Sequence, residues 1–434
     1  MAFDSEEIRK RQQRRKHEAK RRQEQRQLLR RRVTLGVIAA AVVLALCGLL
    51  ILLLQRDAKP DVPDTSDAVT QPMQTQPSEP ETTISIAFGG DLNVTDKVVA
   101  SGAADGGYDY TDVLMDIVPL FAGADAAVLN FEGNLCGAPY GTQSSSAPQE
   151  LMQALSNAGV DMIQMANSCA INNGILGLRD TLDGIRQAGM EPLGAYATNE
   201  EFEASKGFTL RSIRGVKVAF VAFTKGMLTK DMDVLGLPEG SENCVNLLYT
   251  DYTSTYQDVN TEGITKILRA VEQEKPDVTI ALLHWGSEYN NQVSSSQKRI
   301  VELMQKEGVD AIIGPHSHYV QTVEYNADTG ALVAYSLGDF FGDSQKSHTN
   351  YSIVLELEIT KDNQTGKTKI TSFDYTPIYT MTPENDGPAN MQILQIPDAM
   401  AAYEADSIHK ISAETYAAMK SALSRIKSRV DPDN

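Results

Sequence analysis

Cysteine is scarce in this sequence, with four residues among 434. Cys47 lies inside a long apolar run, so the rest of the chain holds only Cys136, Cys169 and Cys244. Because three is an odd number, a fold that depends on a full framework of disulfide bonds is excluded. Free thiols are the expected state, and a disulfide between Cys136 and Cys169 is the alternative that an oxidising exterior would permit.

Basic residues are scarce beyond the first 32 positions. Residues 1–32 hold thirteen Lys and Arg against five acidic residues, whereas the whole chain has 39 against 57 and a net charge of -18. Subtraction leaves 26 basic residues against 52 acidic ones after position 32. A surface of this sign repels phosphate backbones, so we exclude nucleic acid as a partner of the main body.

One uncharged run of 22 residues, Val33 to Leu54, follows the basic segment. At 1.5 Å per residue a helix of this length spans about 33 Å, which exceeds the hydrocarbon core of about 30 Å. The basic residues before it predict a cytoplasmic N-terminus and an extracellular C-terminal domain. A cleavable signal peptide is the competing interpretation, but its apolar region is normally shorter and a small-residue cleavage site would follow it. We therefore predict a single-pass anchor at the cell membrane.

The pattern of the chain predicts five segments: a basic cytoplasmic segment (1–32), a transmembrane helix (33–54), a disordered stalk (55–83), a folded ectodomain (84–380) and a partly helical extension (381–434). The stalk is rich in Pro, Thr, Ser and Gln and has no apolar periodicity. In the ectodomain, apolar strand-like runs alternate with helical patterns and are followed by strands paired around turns. This order predicts an α/β fold, with two sheets packed as a sandwich between outer helices.

Histidine is also scarce, yet three of the six residues follow two apolar runs. Val278 to Leu283 precedes His284, and Ala311 to Ile313 precedes His316 and His318. Since a βαβ unit places successive strand ends on the same edge of a sheet, we expect the three imidazoles to converge. Converging neutral imidazoles most often bind a metal ion.

Four more polar side chains follow apolar runs, and most lie beside glycine: Asp91, Asn130, Glu132 and Asn167. Oxygen and imidazole donors together suit a site for one or two divalent ions (Mn, Fe, Zn or Mg) rather than a thiolate site. Two such ions would polarise a phosphoryl or similar group. We therefore predict metal ligands at Asp91, Glu132, Asn167, His284, His316 and His318.

Each of these residues alone has a simpler structural explanation. Asp91 fits a turn or helix cap, Asn130 and Asn167 could satisfy loop backbone, and His284 could be a hydrogen-bonded core histidine. The pair formed by His316 and His318 is more specific, because residues i and i+2 of an extended segment face the same way. The occurrence of all these polar residues at the ends of apolar runs is what favours a metal site.

Several motifs between Ile84 and about Thr376 carry a resemblance to a known family. They are FGGD (Phe88 to Asp91), LNFEGNL (Leu129 to Leu135), GLRDTLDGIRQAGMEPLGAY (Gly177 to Tyr196), FVAFT (Phe220 to Thr224), LLHWGSEY (Leu282 to Tyr289) followed by Gln297, IIGPHSHYVQTVE (Ile312 to Glu324) and YSLGDF (Tyr335 to Phe340). With them the chain resembles the bacterial capsule-synthesis CapA/PgsA family, which is related to the calcineurin-like metallophosphatases.

The resemblance implies a four-layer αββα sandwich of metallophosphatase type in a membrane-tethered extracytoplasmic domain. It further implies a part in making or exporting poly-γ-glutamate or a related surface polymer, an acidic or phosphorylated polymer as substrate, and other polymer-synthesis membrane subunits as partners. We also expect Asn130, Trp285, Glu288 and Asp339 at the edge of the site.

The chain departs from the family pattern at the positions that would transfer protons. Cys169 stands where the family has the histidine that protonates a leaving group, and Asn172 stands where it has an aspartate. Asp339 replaces the usual asparagine of the YSLGNF motif. A thiol and an amide are poor substitutes for an imidazolium and a carboxylate. Our hypothesis is a site that binds metal but hydrolyses slowly or not at all; the alternatives are an active metal-dependent phosphoesterase or polymer hydrolase, and a pure binding module.

Overall fold

The computed structural model describes residues 80–229, 231–343, 346–383, 391–405 and 411–431. The basic segment, the predicted transmembrane helix at 33–54 and nearly all of the predicted stalk lie outside these residues. Among the residues that are described, no helix is long and apolar enough to cross a bilayer. The first strand begins at Glu81, three residues before the predicted start of the ectodomain.

The described residues form eighteen strands and ten α-helices. The strands are β1 (Glu81–Asn93), β2 (Ala103–Ala104), β3 (Gly107–Tyr108), β4 (Ala126–Glu132), β5 (Met162–Gln164), β6 (Glu191–Leu193), β7 (Thr209–Ile213), β8 (Val216–Thr224), β9 (Met227–Leu228), β10 (Val234–Leu235), β11 (Val278–His284), β12 (Ala311–Ile313), β13 (Val323–Tyr325), β14 (Leu332–Ala334), β15 (Asp339–Phe341), β16 (Tyr351–Asp362), β17 (Thr368–Met381) and β18 (Gln392–Gln395). The helices are α1 (Asp96–Ser101), α2 (Thr111–Leu114), α3 (Val118–Ala122), α4 (Gln149–Asn157), α5 (Gly174–Gln187), α6 (Asn199–Ser205), α7 (Thr261–Glu274), α8 (Ser295–Lys306), α9 (Ile396–Glu404) and α10 (Ala413–Val430).

The strands make two mixed sheets and two small hairpins. The larger sheet has the order β18-β17-β16-β1-β4-β5-β6, with β15 also paired to β1, and its β1, β4, β5 and β6 run parallel. The smaller sheet has the order β13-β14-β12-β11-β8-β7, and its four inner strands run parallel. The predicted α/β class, with antiparallel strands added to parallel ones, is confirmed.

The two sheets pack face to face with helices outside them. Along β8, Val218, Phe220 and Ala222 join the core shared with the larger sheet. The alternate residues Ala219, Val221 and Phe223 belong to a second core together with buried side chains of α7 and α8. Because side chains alternate between the faces of a strand, one face of the smaller sheet meets the other sheet and its opposite face meets helices. Helices α4 and α5 connect β4, β5 and β6 and bury their apolar faces in the first core, so the layers follow the order helix, sheet, sheet, helix.

Strand β1 is irregular at Gly89 and Gly90, where the register of its pairing with β4 shifts between Phe88 and Asp91. A Cβ atom on Gly90 would lie 1.9 Å from the carbonyl oxygen of Gly338. The missing side chain lets the backbones approach closely enough for the Asp91 amide to donate to that oxygen at 3.0 Å. The glycine pair therefore brings Asp91 beside β15.

The described residues after position 380 lie in the same compact unit as the ectodomain. Its strand β18 extends the larger sheet by pairing with β17. Helix α10 buries Met419, Ala422, Ile426 and Val430 in the first core. The extension therefore contributes to the fold of the domain that it follows.

Candidate metal centre

The carboxyl ends of β1, β4, β11 and β12 bring polar side chains to one edge of the sandwich. Asp91 lies in β1, Glu132 ends β4, and His284 ends β11. His316 and His318 lie in the loop that follows β12. All five side chains are buried. The structure thus gathers the donors that were expected at the ends of widely separated apolar runs.

Glu132, His284 and His316 form a first group of potential metal donors. One donor atom of each residue lies within 4.8 Å of those of the other two. The Nε2 atom of His284 is 2.9 Å from Oε1 of Glu132, and the ring centroids of His284 and His316 are 4.3 Å apart. The other ring nitrogen of His284 lies 3.4 Å from the hydroxyl of Thr224, an outer contact that orients the imidazole.

Asp91, His318 and Asp339 form a second group with the same spacing of donor atoms. The Nδ1 atom of His318 is 2.7 Å from Oδ1 of Asp339 and 3.8 Å from Oδ2 of Asp91. Asp339 was expected only at the edge of the site, but the structure places its carboxylate among the donors. It arrives there because β15 pairs in parallel with β1, which sets Asp339 opposite Asp91.

Asn130 lies between the two groups. Its Nδ2 atom donates to Oδ1 of Asp91 at 2.7 Å and to Oε1 of Glu132 at 3.4 Å. The ring centroids of His316 and His318, one from each group, are 6.3 Å apart. Two adjacent sets of oxygen and imidazole donors suit a pair of divalent ions such as Mn, Fe, Zn or Mg.

The hydrogen bonding and backbone conformation of His316 test whether the site fits a metal ion. Both ring nitrogens are buried and have no hydrogen-bond partner among the described residues. An unpartnered buried polar atom is costly, so such an atom normally has a partner. The residue also adopts φ = +93°, a conformation that non-glycine residues rarely take and that concentrates at functional sites. A nitrogen lone pair in this position fits a metal ligand.

Burial changes the proton affinity of the carboxylates. It raises the pKa of Asp91 to about 7, and the nearby charge of Glu132 adds to the increase. Burial also raises the pKa of Glu132 to about 7. A divalent cation would favour the ionised forms, because an opposite charge stabilises a buried carboxylate. The two buried carboxylates therefore favour the binding of a cation at this site.

Two imidazoles are kept in the neutral form that binds metals. Burial lowers the pKa of His284 to about 3 and that of His316 well below its ordinary value. His318 differs: burial alone would lower its pKa, but the charge of Asp339 and the hydrogen bond to it raise the pKa well above the ordinary value. A cation between His318 and Asp339 would compete with that proton.

Asn167, which was predicted as a ligand, lies beside the donor groups in contact with Asn130, and its role as a ligand stays a prediction. Its amide nitrogen donates to the carbonyl of Phe131 at 2.8 Å and to Oδ1 of Asn130 at 3.1 Å. Its oxygen accepts the backbone N–H of Cys169 at 3.0 Å. The residue therefore fixes the loop after β5 and orients Asn130.

Cys169 and Asn172 both line the mouth of the site. The sulfur of Cys169 lies 4.0 Å from Oε2 of Glu132, and burial together with that carboxylate raises the pKa of the thiol. Asn172 donates to the hydroxyl of Ser145 at 3.2 Å. All three described cysteines are free, and the sulfur of Cys136 faces the carbonyl of Gly177 instead of Cys169. The Cys169 thiol is therefore a weaker acid than an ordinary thiol, and the Asn172 amide cannot ionise.

Trp285 does not reach the site, where it was expected at the edge. Its indole N–H donates to the carbonyl of Tyr335 at 3.0 Å, and its ring stacks on that of Tyr335 in the core beneath α7 and α8. Glu288, also expected at the edge, does line the cavity. The difference follows from the strand: consecutive residues point to opposite faces, so His284 and Trp285 cannot both face the same site.

A cavity of about 320 Å³ opens over the donors. Sequence reasoning missed most of the residues that line it, among them Asn93 and Tyr289. Asn93 donates to Oδ1 of Asp339 at 2.9 Å, and Tyr289 stacks on His318 with 5.0 Å between ring centroids. Asn93 could have been found, because it lies two residues after Asp91 on one strand and so shares its face.

The sequence is similar to those of known proteins of one family. The sequence family described as bacterial capsule synthesis protein PGA_cap matches residues 85–344. The chain is similar to "PGA biosynthesis protein CapA" of Bacillus subtilis (strain 168), with 25% identity over 308 residues that cover 67% of this chain and 71% of that protein. It is also similar to "Capsule biosynthesis protein CapA" of Bacillus anthracis, with 28% identity over 221 residues that cover 51% of this chain and 49% of that protein.

The chain also has some similarity in backbone shape to two solved structures. The calcineurin-like phosphoesterase YfkN from Bacillus subtilis has a TM-score of 0.42 and 17% identity, with 80% of this chain and 100% of that chain covered. A phosphatase from Mycoplasma pneumoniae has a TM-score of 0.41 and 13% identity, with coverage of 70% and 96%.

Proposed function

This chain belongs to the bacterial capsule synthesis family PGA_cap, and from that premise we propose that it is a membrane-anchored, extracytoplasmic protein that takes part in making or exporting a capsule polymer. The proposal depends on one observation, namely where the metal donors lie in the sequence. All six members of the two donor groups, from Asp91 to Asp339, lie inside the matched segment 85–344. The family match and the candidate metal centre therefore concern the same part of the molecule.

The membrane anchor is supported by the sequence before residue 80. The uncharged run Val33 to Leu54 is long enough to cross a bilayer, and the basic block before it favours a cytoplasmic N-terminus. The acidic body would then lie outside the cell, single-pass and tethered by the stalk. In this position it would work beside other membrane subunits of the polymer machinery, on an acidic polymer such as poly-γ-glutamate.

The donor groups support a role for divalent metal in that work. When bound, two such ions supply Lewis acidity to a phosphoryl or similar group. Glu132, His284 and His316 would hold one ion, and Asp91, His318 and Asp339 the other. Cys169 and Asn172 offer no acid of ordinary strength, so the site as a whole would turn over slowly.

The second candidate is an active metal-dependent phosphoesterase or polymer hydrolase at the cell surface. The cavity of about 320 Å³ over the donors favours it, because a protein that used metal only for stability would have no need of an open site. Both candidate functions require bound metal, and they differ in the rate at which the site hydrolyses a substrate.

Capsule yield in cells tests the proposal. A strain that lacks this chain should lose most of its capsule polymer, and the full-length chain should restore it. Versions that lack residues 33–54 or carry His316→Ala should not. A strain without the chain that keeps a normal amount of polymer would show the assembly role to be wrong, and full restoration by the version without residues 33–54 would contradict the anchor.

A further inference from the structure

The cavity over the metal donors is lined mostly by negative charge. Several carboxylates line it, including those of Glu288 and Asp343, whereas Lys346 is the single lysine or arginine among its described lining residues. An acidic polymer would be repelled by these carboxylates. Such a polymer therefore needs cations close to the cavity that no carboxylate of the protein neutralises.

A row of aromatic rings leads from the second donor group to the outside of the domain. Tyr289 stacks on His318 with 5.0 Å between ring centroids, and its ring lies 6.1 Å from that of Tyr319. The ring of His348 follows at 6.4 Å from that of Tyr319. Tyr289 is 43% exposed, and Tyr319 and His348 are half-buried. Aromatic surface therefore remains accessible along the row, beginning at a metal donor.

Lys346 lies at the cavity end of this row. Its exposed ammonium is 5.5 Å from the centre of the Tyr289 ring, which is within the range of a cation–π contact. The hydroxyl and the backbone N–H of Thr349 donate to the Lys346 carbonyl at 2.9 and 3.3 Å, so the two residues form a turn that contains His348. His348 adopts φ = +73° in this turn, a conformation that concentrates at functional sites. The turn fixes the lysine backbone next to the imidazole of the row.

Two arginines of α10 lie at the other end of the row. The Arg429 guanidinium donates to the carbonyl of Val320 at 2.6 Å, and Val320 directly follows Tyr319. Arg425 lies four residues earlier, so it shares the face of the helix with Arg429 at a Cβ separation of about 5–6 Å. In agreement with this placement, burial and then the charges of both arginines lower the pKa of His348.

These three cations have donors to spare. A guanidinium has five N–H donors, and the described residues accept one from Arg429 and none from the exposed side chain of Arg425. No carboxylate in the described part of the chain forms an ion pair with Arg425, Arg429 or Lys346. All three residues also lie outside the segment 85–344, so the family match does not account for them.

We propose that the three cations and the rings between them form one binding surface for a polymer with repeated carboxylates, and that this surface directs the polymer to the metal centre. We call it the basic track, and it consists of Tyr289, Tyr319, Lys346, His348, Arg425 and Arg429. The proposal rests on the proposed function, which supplies the acidic polymer, and adds the site that holds it. The cations pair with carboxylates, and the rings pack against the aliphatic carbons between them. Because charges more than about 8 Å apart are largely screened at physiological salt, these local cations outweigh the acidic remainder of the surface.

Calorimetric titration with a synthetic oligomer of γ-linked glutamate tests the basic track. The full-length protein is purified in detergent and loaded with Mn²⁺. Lys346→Gln combined with Arg425→Gln should weaken binding by about 10-fold or more at low salt, because hydrogen bonds between charged groups are the strong ones. The control, Lys420→Gln combined with Lys427→Gln, also removes two charges, both from exposed positions on the opposite face of α10, and should leave Kd nearly unchanged. High salt should weaken binding by the wild type more than binding by the first variant.

Further measurements separate binding by the basic track from a structural effect. Both double variants should keep the metal content found by mass spectrometry and the Tm of the wild type, because all four side chains are exposed. Equal losses of affinity in the two double variants, loss of metal in the first, or no binding of the glutamate oligomer by the wild type would overturn the proposal. Tighter binding of a glycerol phosphate oligomer of equal charge would overturn the choice of carboxylates. Capsule restoration in cells remains a separate result, so the assembly role can stand where the basic track fails.

Discussion

The side-chain amide of Asn93 donates to Oδ1 of Asp339 at 2.9 Å, and the same oxygen lies 2.7 Å from Nδ1 of His318. One carboxylate oxygen thus joins β1, β15 and the loop after β12. The amide directs the carboxylate toward the histidine, and the second donor group depends on that orientation. Outer contacts of this kind commonly alter metal affinity as strongly as a weakened ligand does.

Asn93→Ala should therefore lower the affinity for Mn²⁺ by about 10- to 100-fold without unfolding the protein. The amide makes no direct contact with an ion, so the stoichiometry at saturating metal should stay the same. Calorimetric titration of the full-length protein measures both quantities. Asn290→Ala, at an exposed position outside the donor groups, is the matched control. An unchanged affinity in Asn93→Ala would show that Asp339 is oriented without its help.

His316 makes the structure without metal less stable than it could be. Within the described part of the chain neither of its buried nitrogens has a hydrogen-bond partner, and each such atom costs about 1–3 kcal/mol. His316→Phe, which keeps a ring of similar size, should raise the free energy of unfolding of the metal-free protein by at least about 1 kcal/mol. Chemical denaturation in the presence of a chelator measures this change.

The same substitution should remove the stabilisation that metal provides. For the wild-type protein, free metal at a hundred times Kd should add about 2.7 kcal/mol to the free energy of unfolding. In His316→Phe this increment should be smaller or absent, whereas His348→Phe should keep it in full. A metal-induced increment of equal size in His316→Phe and the wild type would mean that His316 is not a ligand.

The local sequence pattern was enough to predict the candidate metal donors that lie at the ends of apolar strands. Asp91, Glu132 and His284 each end or nearly end such a run, and the parallel order of the strands brings them together. Asp339 could not be assigned to a donor group in this way. Its position depends on β15 pairing with β1 across almost 250 residues of chain, which no local pattern reveals.

Alternation along strands explains the position of Trp285, and a loop explains the contacts of Asn167. Trp285 follows His284 directly, so its side chain points to the opposite face and enters the helical side of the sheet. Asn167 lies beyond the end of β5 in a loop, where backbone groups without strand partners use its amide. A residue type that can bind metal can equally satisfy a loop, and only the three-dimensional surroundings distinguish the two.

Helix α10 should be part of the cooperative unit of the domain, although its sequence is polar and rich in alanine. Ile426 is fully buried in the core beside strands of the larger sheet. Ile426→Ala should lower the free energy of unfolding by about 2–5 kcal/mol, the usual cost of such a cavity. Ser424→Ala, at an exposed position of the same helix, should have almost no effect. Urea denaturation of the full-length protein compares them, and equal stability of the two variants would mean that the helix is not packed on the domain in solution.

A histidine at position 169 with an aspartate at position 172 should raise the turnover of the metal-loaded protein. An imidazolium is a stronger acid than a thiol whose pKa is raised by burial and by Glu132, and an aspartate can orient it. Cys169→His with Asn172→Asp should increase kcat/KM on methyl phenyl phosphate by about 10²-fold, the lower range for a general acid. An unchanged kcat/KM in the double variant would mean that proton donation from positions 169 and 172 does not limit turnover.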